Sequence, residues 1–200
     1  MTFVLATNTT KPQAAAAYGG EGKFSYNPSP LSHPFQEPQG VLVKIFSKHF
    51  PYISPKSPPT YLPNQAVCGI GGNLGPSLQI FDLLFFYLQR HPKIAINSTS
   101  YIYNNKAFGH TNQPNFYNAS LVLQTSLCLR GIFSFFFYLE RRFSRPRKRD
   151  FKNSPRTLDL DLIFFNNKKL KLDHIELPHK DYTNRPSVLE PLRFQLGIGL

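Results

Sequence analysis

Apolar and polar positions fall into readable periods only from about Ala66 onward. AVCGIGG is a short apolar run closed by glycines, which reads as a buried strand followed by a turn. In SLQIFDLLFFYLQRH the residues Leu78, Phe81, Leu84, Phe85 and Leu88 recur at helical spacing and predict a helix. IAINSTSYIY alternates and predicts a strand, and FYNASLVLQT predicts a second. Between them, NNKAFGHTNQPN is polar and punctuated by Gly and Pro, so it reads as a loop. LCLRGIFSFFFYLERRF is apolar nearly all round, which predicts a buried helix with an exposed basic end. A basic loop over 144–155 follows. TLDLDLIFF then predicts a strand, NNKK a turn and LKLDHIEL the hairpin partner of that strand. PHKDYTNRPSVLEPL reads as loop with a short closing element.

The element order is therefore βαββαββ, an α+β class. Its first six elements follow the ferredoxin-like βαββαβ order, an antiparallel sheet with helices on one face, to which the hairpin adds a strand. Residues 1–63 differ in kind. They hold ten of the 18 prolines, which remove backbone donors and bias their predecessors away from helix. This region reads as a mostly irregular extension in which Val41–Phe46 is a candidate strand or docked arm. The folded domain is expected over 64–200. That fold hosts RNA-binding modules, metal carriers and enzymes, so function must come from the site.

Composition narrows the classes. The chain has 200 residues, enough for one domain with a real core, and a formal net charge of +12. Such a charge suits an anionic partner, whether nucleic acid, a phosphorylated small molecule or a membrane surface, although it also serves solubility. Cys68 and Cys128 stand alone, without metal-type spacing, as expected in a reducing cytoplasm. The first residues lack the basic start and apolar length of a secretory signal. The most apolar window, Leu127–Leu139, is interrupted by Arg130 and is shorter than the ~20 residues of a membrane span. A soluble cytoplasmic protein is expected.

The chemistry concentrates in TLDLDLIFF. Alternation puts Leu158, Leu160 and Leu162 on one face and Asp159 with Asp161 on the other, about 7 Å apart along the strand. Two carboxylates that close repel unless a cation lies between them. A hard divalent ion with oxygen ligands suits the gap, above all Mg²⁺ shared with phosphate oxygens, and two such ions would make a two-metal phosphoryl-transfer site. The ordinary alternative is a half-solvated strand with a polar face. Arg141, Arg142, Arg145, Arg147, Lys148, Arg149, Lys152 and Arg156 precede the pair, opposed only by Asp150. A loop this basic suits the gripping of a triphosphate by guanidinium forks; a nucleic-acid patch or a solvated loop is the plain alternative. Bare carboxylates would repel a nucleic-acid backbone, so the combination favours a metal–nucleotide complex. Phe116 and Asn118 share a face of their strand, a ring for stacking beside an amide for paired hydrogen bonds, which suits a flat heterocycle; core packing of Phe116 is the alternative. GIGGNLG is no phosphate loop, because Leu74 stands where the dinucleotide fingerprint needs Gly and no Lys-Ser/Thr follows. It reads as a tight strand-to-helix turn.

GIGGNLG, AFG…QPNFYNA, PRTLDLDLIFF and LPHKDYTNR, in this order and at these spacings, resemble the 6-hydroxymethyl-7,8-dihydropterin pyrophosphokinase family over about Ala66–Leu192. The resemblance implies an enzyme of folate biosynthesis with a ferredoxin-like fold. It would move the β,γ-diphosphate of ATP to the pterin hydroxyl and release AMP, with two Mg²⁺. It implies that Asp159 and Asp161 hold both ions, and that Asp159 also orients the attacking hydroxyl. Phe116 matches the family's stacking aromatic and Asn118 its pterin-binding Asn. Asn105 and Phe108 fall in the loop whose backbone reads the pterin edge. Arg156, His179 and Arg185 match nucleotide contacts. Glu140 matches a helix-end glutamate near the nucleotide, with solvent exposure as its plain alternative. Arg145 and Arg147 match a catalytic R-x-R pair in a mobile loop. The implied partners are ATP and the pterin, acting on a monomer, with no nucleic acid and no membrane.

The chain departs from the family pattern at several points. Ser187 stands where a second aromatic often closes the pterin sandwich, so Tyr182, Phe108 or Phe151 substitutes or one face stays open. The loop between Arg147 and Arg156 is one residue longer and lacks a Trp. GGN replaces the commoner GSN, and Lys180 replaces an aromatic or Pro. Two other readings stand beside the enzyme: a basic RNA-binding module with exposed aromatics on its sheet, and a relative that binds nucleotide or pterin without turnover.

Overall fold

The computed structural model describes residues 43–106, 113–143, 154–172, 175–180 and 182–196. Chain order is β1 (Val43–Ile45), β2 (Tyr52–Ile53), β3 (Asn64–Gly72), α1 (Ser77–Gln89), β4 (Ile94–Thr99), β5 (Ile102–Asn105) and β6 (Phe116–Thr125). Next come α2 (Leu129–Arg142), β7 (Asp159–Phe165), β8 (Leu170–Leu172), β9 (Ile175–Leu177) and α3 (Pro186–Leu196). The main sheet is antiparallel throughout. β7 pairs with β3, and β3 with β6. The other edge of β6 takes β5 along its first half and β4 along its second.

Two layers of different character cover this sheet. On one face α1 contributes Phe81, Leu84, Phe85 and Leu88, and α2 contributes Ile132, Phe136 and Leu139. They pack on Ala66, Cys68, Ile70, Ala119, Leu121 and Leu123, the alternate positions of β3 and β6. Leu158, just before β7, and Leu160 and Leu162 within it join this core as the alternation predicts. Phe165 joins too, although strict alternation from Leu162 would send Phe164 there. An irregularity opposite Val67 and Cys68 inserts the extra residue that swaps the faces.

α3 covers part of the opposite face. Ser120 Oγ donates to Gln195 Oε1, and Gln195 Nε2 donates to Ser98 Oγ at 2.9 Å. Leu189 and Leu192 are buried beneath it. Sequence patterning expects only loop with a short closing element here, and two prolines fall within the helix that forms. Pro186, however, occupies the first helical position, where no donor is needed, and burial holds the turn containing Pro191.

Two further expectations are corrected. LKLDHIEL does not pair with β7: β8 pairs with β9 in a separate two-stranded sheet, and Asn166 turns the chain with a positive φ of 48°. The cross-strand pairs Leu170–Leu177 and Leu172–Ile175 close this small hairpin on itself. Nor is α2 buried all round. Phe137 and Tyr138 are exposed, and the Tyr138 hydroxyl meets that of Tyr87 at 3.2 Å on the outer surface. Long aromatic runs carry no periodicity, so composition overstates burial there.

Part of the proline-rich region is built into the sheet. β1 pairs with β5 and β2 with β4. Between them, Phe50 is fully buried against Phe81 and Phe85. Thr99 Oγ1 donates to His49 O at 2.6 Å, and Ser47 and His49 both reach Asp82. No helix among the described residues is long and apolar enough to cross a membrane.

Phe50→Ala removes a fully buried ring and should destabilise the domain by about 3–5 kcal/mol, read from the denaturant midpoint. An unchanged midpoint would mean that residues 43–53 contribute nothing to the core.

Candidate active site

The site lies on the α3 face of the sheet, beyond the part that α3 covers. Register builds it. Asp159 of β7 lies opposite Gly71 of β3, Gly71 opposite Asn118 of β6, and Asn118 opposite Tyr103 of β5. One row further, Asp161 lies opposite Gly69, and Gly69 opposite Ser120. Directly opposed residues share a face, so two acidic side chains on one strand look across glycines at polar side chains on another. The glycines keep the floor between them clear. A Cβ on Gly71 would stand 3.0 Å from Asn118 Oδ1 and 3.9 Å from Asp159 Cβ.

The result is a shallow cleft open to solvent. Phe116, Asn118, Arg156, Asp159, Asp161 and Arg185 line it, with Ser187 and Val188 from the start of α3. The Arg156 guanidinium pairs with Asp159 at 3.0 Å and lies 5.9 Å from the Phe116 ring centre. Its Nε is buried and finds no acceptor among the described residues. The arginine thus bridges the aromatic and acidic halves of the cleft.

Electrostatics single out Asp161. Burial, and then the charge of Asp159, push its carboxyl above the ordinary carboxylate range; His179, Arg156 and Arg185 pull it back. These three cationic or titratable groups therefore converge on the acidic pair. At Asp161 burial and like charge nevertheless outweigh these groups, an imbalance that a bound cation would relieve. Among the described residues no third His, Cys, Asp or Glu joins the pair to complete a metal cage.

Asn105 is not in the cleft lining, yet its Oδ1 accepts from Asn118 Nδ2 at 2.6 Å and so fixes which way that amide points. Glu140 neither lines the cleft nor is solvent-exposed. It is buried, and its Oε1 accepts the backbone N–H of Leu160 at 2.9 Å. β7 ends the sheet, so the outward N–H between the two aspartates has no strand partner, and the end of α2 supplies the acceptor. A second tie runs beside it, from Thr157 Oγ1 to Phe143 O at 2.6 Å. Phe108, Arg145 and Arg147 lie outside the described residues, as does Phe151. Tyr182 is buried edge-on against Phe164 at 5.1 Å and is absent from the cleft lining, which removes it as a second stacking ring.

Sequence reasoning missed the glycines as site residues. GIGGNLG is not one turn: Gly69–Gly72 belong to β3, and only the stretch after it, with Gly75 at a φ of 68°, turns. Three glycines inside a strand signal a close approach or an open floor, and here they serve both ends. Ser187 is singled out only through the family resemblance, and Val188 carries no signal, because nothing local shows that the start of α3 meets β6.

The 7,8-dihydro-6-hydroxymethylpterin-pyrophosphokinase family model matches residues 67–195. The chain is 51% identical over 132 residues to 2-amino-4-hydroxy-6-hydroxymethyldihydropteridine pyrophosphokinase of Helicobacter pylori, covering 66% of this chain and 81% of that protein. The namesake of Campylobacter jejuni is 40% identical over 155 residues, 77% of this chain and 96% of its own. That of Synechocystis is 36% identical over 137 residues, 67% and 69% respectively.

Asp161→Asn should raise the thermal midpoint of the metal-free protein. The folded-state carboxyl has a raised pKa, so its charge destabilises the fold. That penalty is fully present above the raised value and fades as pH falls through it. The advantage of the variant should therefore be largest near neutrality and shrink in acid; a variant less stable than wild type at pH 7 in EDTA contradicts this.

Proposed function

The chain belongs to the 7,8-dihydro-6-hydroxymethylpterin-pyrophosphokinase family, the pyrophosphokinases of folate biosynthesis, and we propose that the cleft is where it transfers the β,γ-diphosphate of ATP to the hydroxyl of 6-hydroxymethyl-7,8-dihydropterin, releasing AMP. The observation that best supports this assignment is the row Asp159–Gly71–Asn118, a carboxylate and a carboxamide facing each other across one rigid floor, which suits a phosphate-handling end beside a heterocycle-handling end. The sheet order β7-β3-β6-β4/β5, with α1 and α2 on one face, supports reading the core as ferredoxin-like.

The donor set fits magnesium. Asp159 and Asp161 offer carboxylate oxygens only, and with no further protein ligand among the described residues the coordination positions left over suit water and phosphate. Two Mg²⁺ held there would neutralise phosphate charge and align the diphosphate for in-line displacement. The chain's own residues do the rest. Arg156 exchanges its pairing with Asp159 for phosphate oxygens, and its unbonded Nε leaves a donor for them. Arg185 and His179, both close enough to bias Asp161, take the nucleotide side. Phe116 stacks the pterin, and Asn118, oriented by Asn105, bonds its edge. Asp159 orients the attacking hydroxyl. Phe108 in the pterin loop and the Arg145–Arg147 pair at the phosphates complete the assignment. Ser187 and Val188 leave the pterin an aliphatic and polar wall in place of a second ring. Glu140 we place behind β7, holding its edge, rather than on the nucleotide.

Small-molecule partners, a monomer and a cytoplasmic location belong to the same proposal, which the free thiols Cys68 and Cys128 support. An RNA-binding module of this architecture needs an open sheet face, and α3 occupies part of it.

AMP release from Mg-ATP tests the assignment. Wild type should form AMP only when 6-hydroxymethyl-7,8-dihydropterin is present, and Asp159→Ala or Asp161→Ala should lower the rate by about a thousandfold or more. Calorimetric binding of either substrate without AMP would instead identify a non-catalytic relative. Gly71→Ala, whose new methyl crowds Asn118 Oδ1 at 3.0 Å, should raise the pterin KM by about tenfold and move the ATP KM less. An equal rise in both would place the pterin elsewhere.

A further inference from the structure

Asn73, the residue after β3, has no role in the assignments above, yet its side chain is buried at 5% exposure beside the cleft. Its Nδ2 donates to Gln113 Oε1 and to Pro114 O, both at 3.2 Å. Its Oδ1 accepts the backbone N–H of Arg156 at 2.9 Å. The backbone closes the same junction, with Asn73 N–H and Leu74 N–H donating to Arg156 O at 2.9 and 3.1 Å. Gly72 permits the approach, because a Cβ there would stand 2.5 Å from Thr157 O.

One carboxamide therefore ties together three segments. Gln113–Pro114 leads directly into Phe116 at the start of β6. Arg156 leads into Asp159 at the start of β7. The end of β3 lies between them. A carboxamide suits this post because it donates twice and accepts within one plane; a carboxylate of the same shape would set lone pairs against Gln113 Oε1 and Pro114 O. A bond to a backbone N–H fixes a main-chain position, so the Arg156 Cα, and with it the origin of the guanidinium, is set by Asn73.

We propose that Asn73 is a positioning residue that holds the pterin-stacking end and the phosphate-binding end of the cleft in a common register, so that its loss disturbs both substrates together. This rests on the pyrophosphokinase reading. It differs from a stabilising role alone in what it predicts for kinetics. A purely structural residue changes the fraction of folded protein and leaves each KM as it was. A positioning residue changes the KM values of the molecules that are folded.

Steady-state kinetics with both substrates varied, on wild type, Asn73→Ala, Asn73→Asp and Gln113→Ala, decide it. Asn73→Ala should raise both KM values and lower kcat, with a combined loss in kcat/KM of about 10–100-fold. Asn73→Asp keeps the acceptor for Arg156 and loses both donors, so the pterin KM should rise about tenfold while the ATP KM stays near wild type. Gln113→Ala, at a partly exposed position, should raise the pterin KM only, and adding it to Asn73→Ala should cost less than it does in wild type, because the shared bond is already gone. Circular dichroism and the thermal midpoint establish that each variant is folded; should Asn73→Ala fail to fold, the Asp and Gln113 variants carry the test. Folded variants with both KM values unchanged overturn the inference. A wild type without pterin-dependent AMP formation overturns the reading it rests on as well.

Discussion

Two carboxylates on one face of a strand repel each other, and in this protein they do so at the edge of a sheet, where a strand is least constrained. Most of the local structure answers that difficulty. Asp159 is held by Arg156, and Asp161 feels His179, Arg156 and Arg185. The strand itself is pinned on both edges, by the β3 ladder on one side and by the buried carboxylate of Glu140 on the other. Without those ties β7 could relieve the repulsion by twisting away. With them the two carboxylates stay side by side on one face. Such stored unfavourable charge is a common feature of sites that bind metal and phosphate.

The glycines of β3 work on the same problem from the other side. A sheet normally fills the space above it with side chains. Here Gly69 and Gly71 leave a bare strip between the acidic strand and the polar end of β6. The backbone of a central strand is among the stiffest parts of a domain, so the distance from the carboxylates to Asn118 is set by ladder geometry and not by loops. The helices α1 and α2 bury the reverse face and have no part in the lining. Their contribution is indirect, through Glu140 and Phe143 at the end of α2.

The strands β1 and β2 extend the architecture at the opposite margin. β1 covers the outer edge of β5, whose last residue, Asn105, orients Asn118. A segment that looks irregular in sequence thus backs the Asn118 end of the cleft as the end of α2 backs the end with the two aspartates. Phe50 anchors it in the helix-covered core.

What the sequence by itself determined is local and periodic. The alternation in TLDLDLIFF put both aspartates on one face and the leucines on the other, because side chains alternate along any strand. Helical spacing found the buried face of α1. Alternation likewise put Phe116 and Asn118 on one face of their strand, and motif order supplied the family. What only the tertiary structure decided is non-local. Register placed glycines opposite the aspartates; no local pattern specifies which residues of distant strands stand side by side. Glu140 is a charged residue near a helix end, which in sequence reads as solvent-facing, and only the unsatisfied N–H of an edge strand explains its burial. The faces of β7 exchange at an irregularity set by its partner, and α3 forms despite two prolines because it has a sheet to cover. Periodicity states which way a side chain points; packing decides what it meets there.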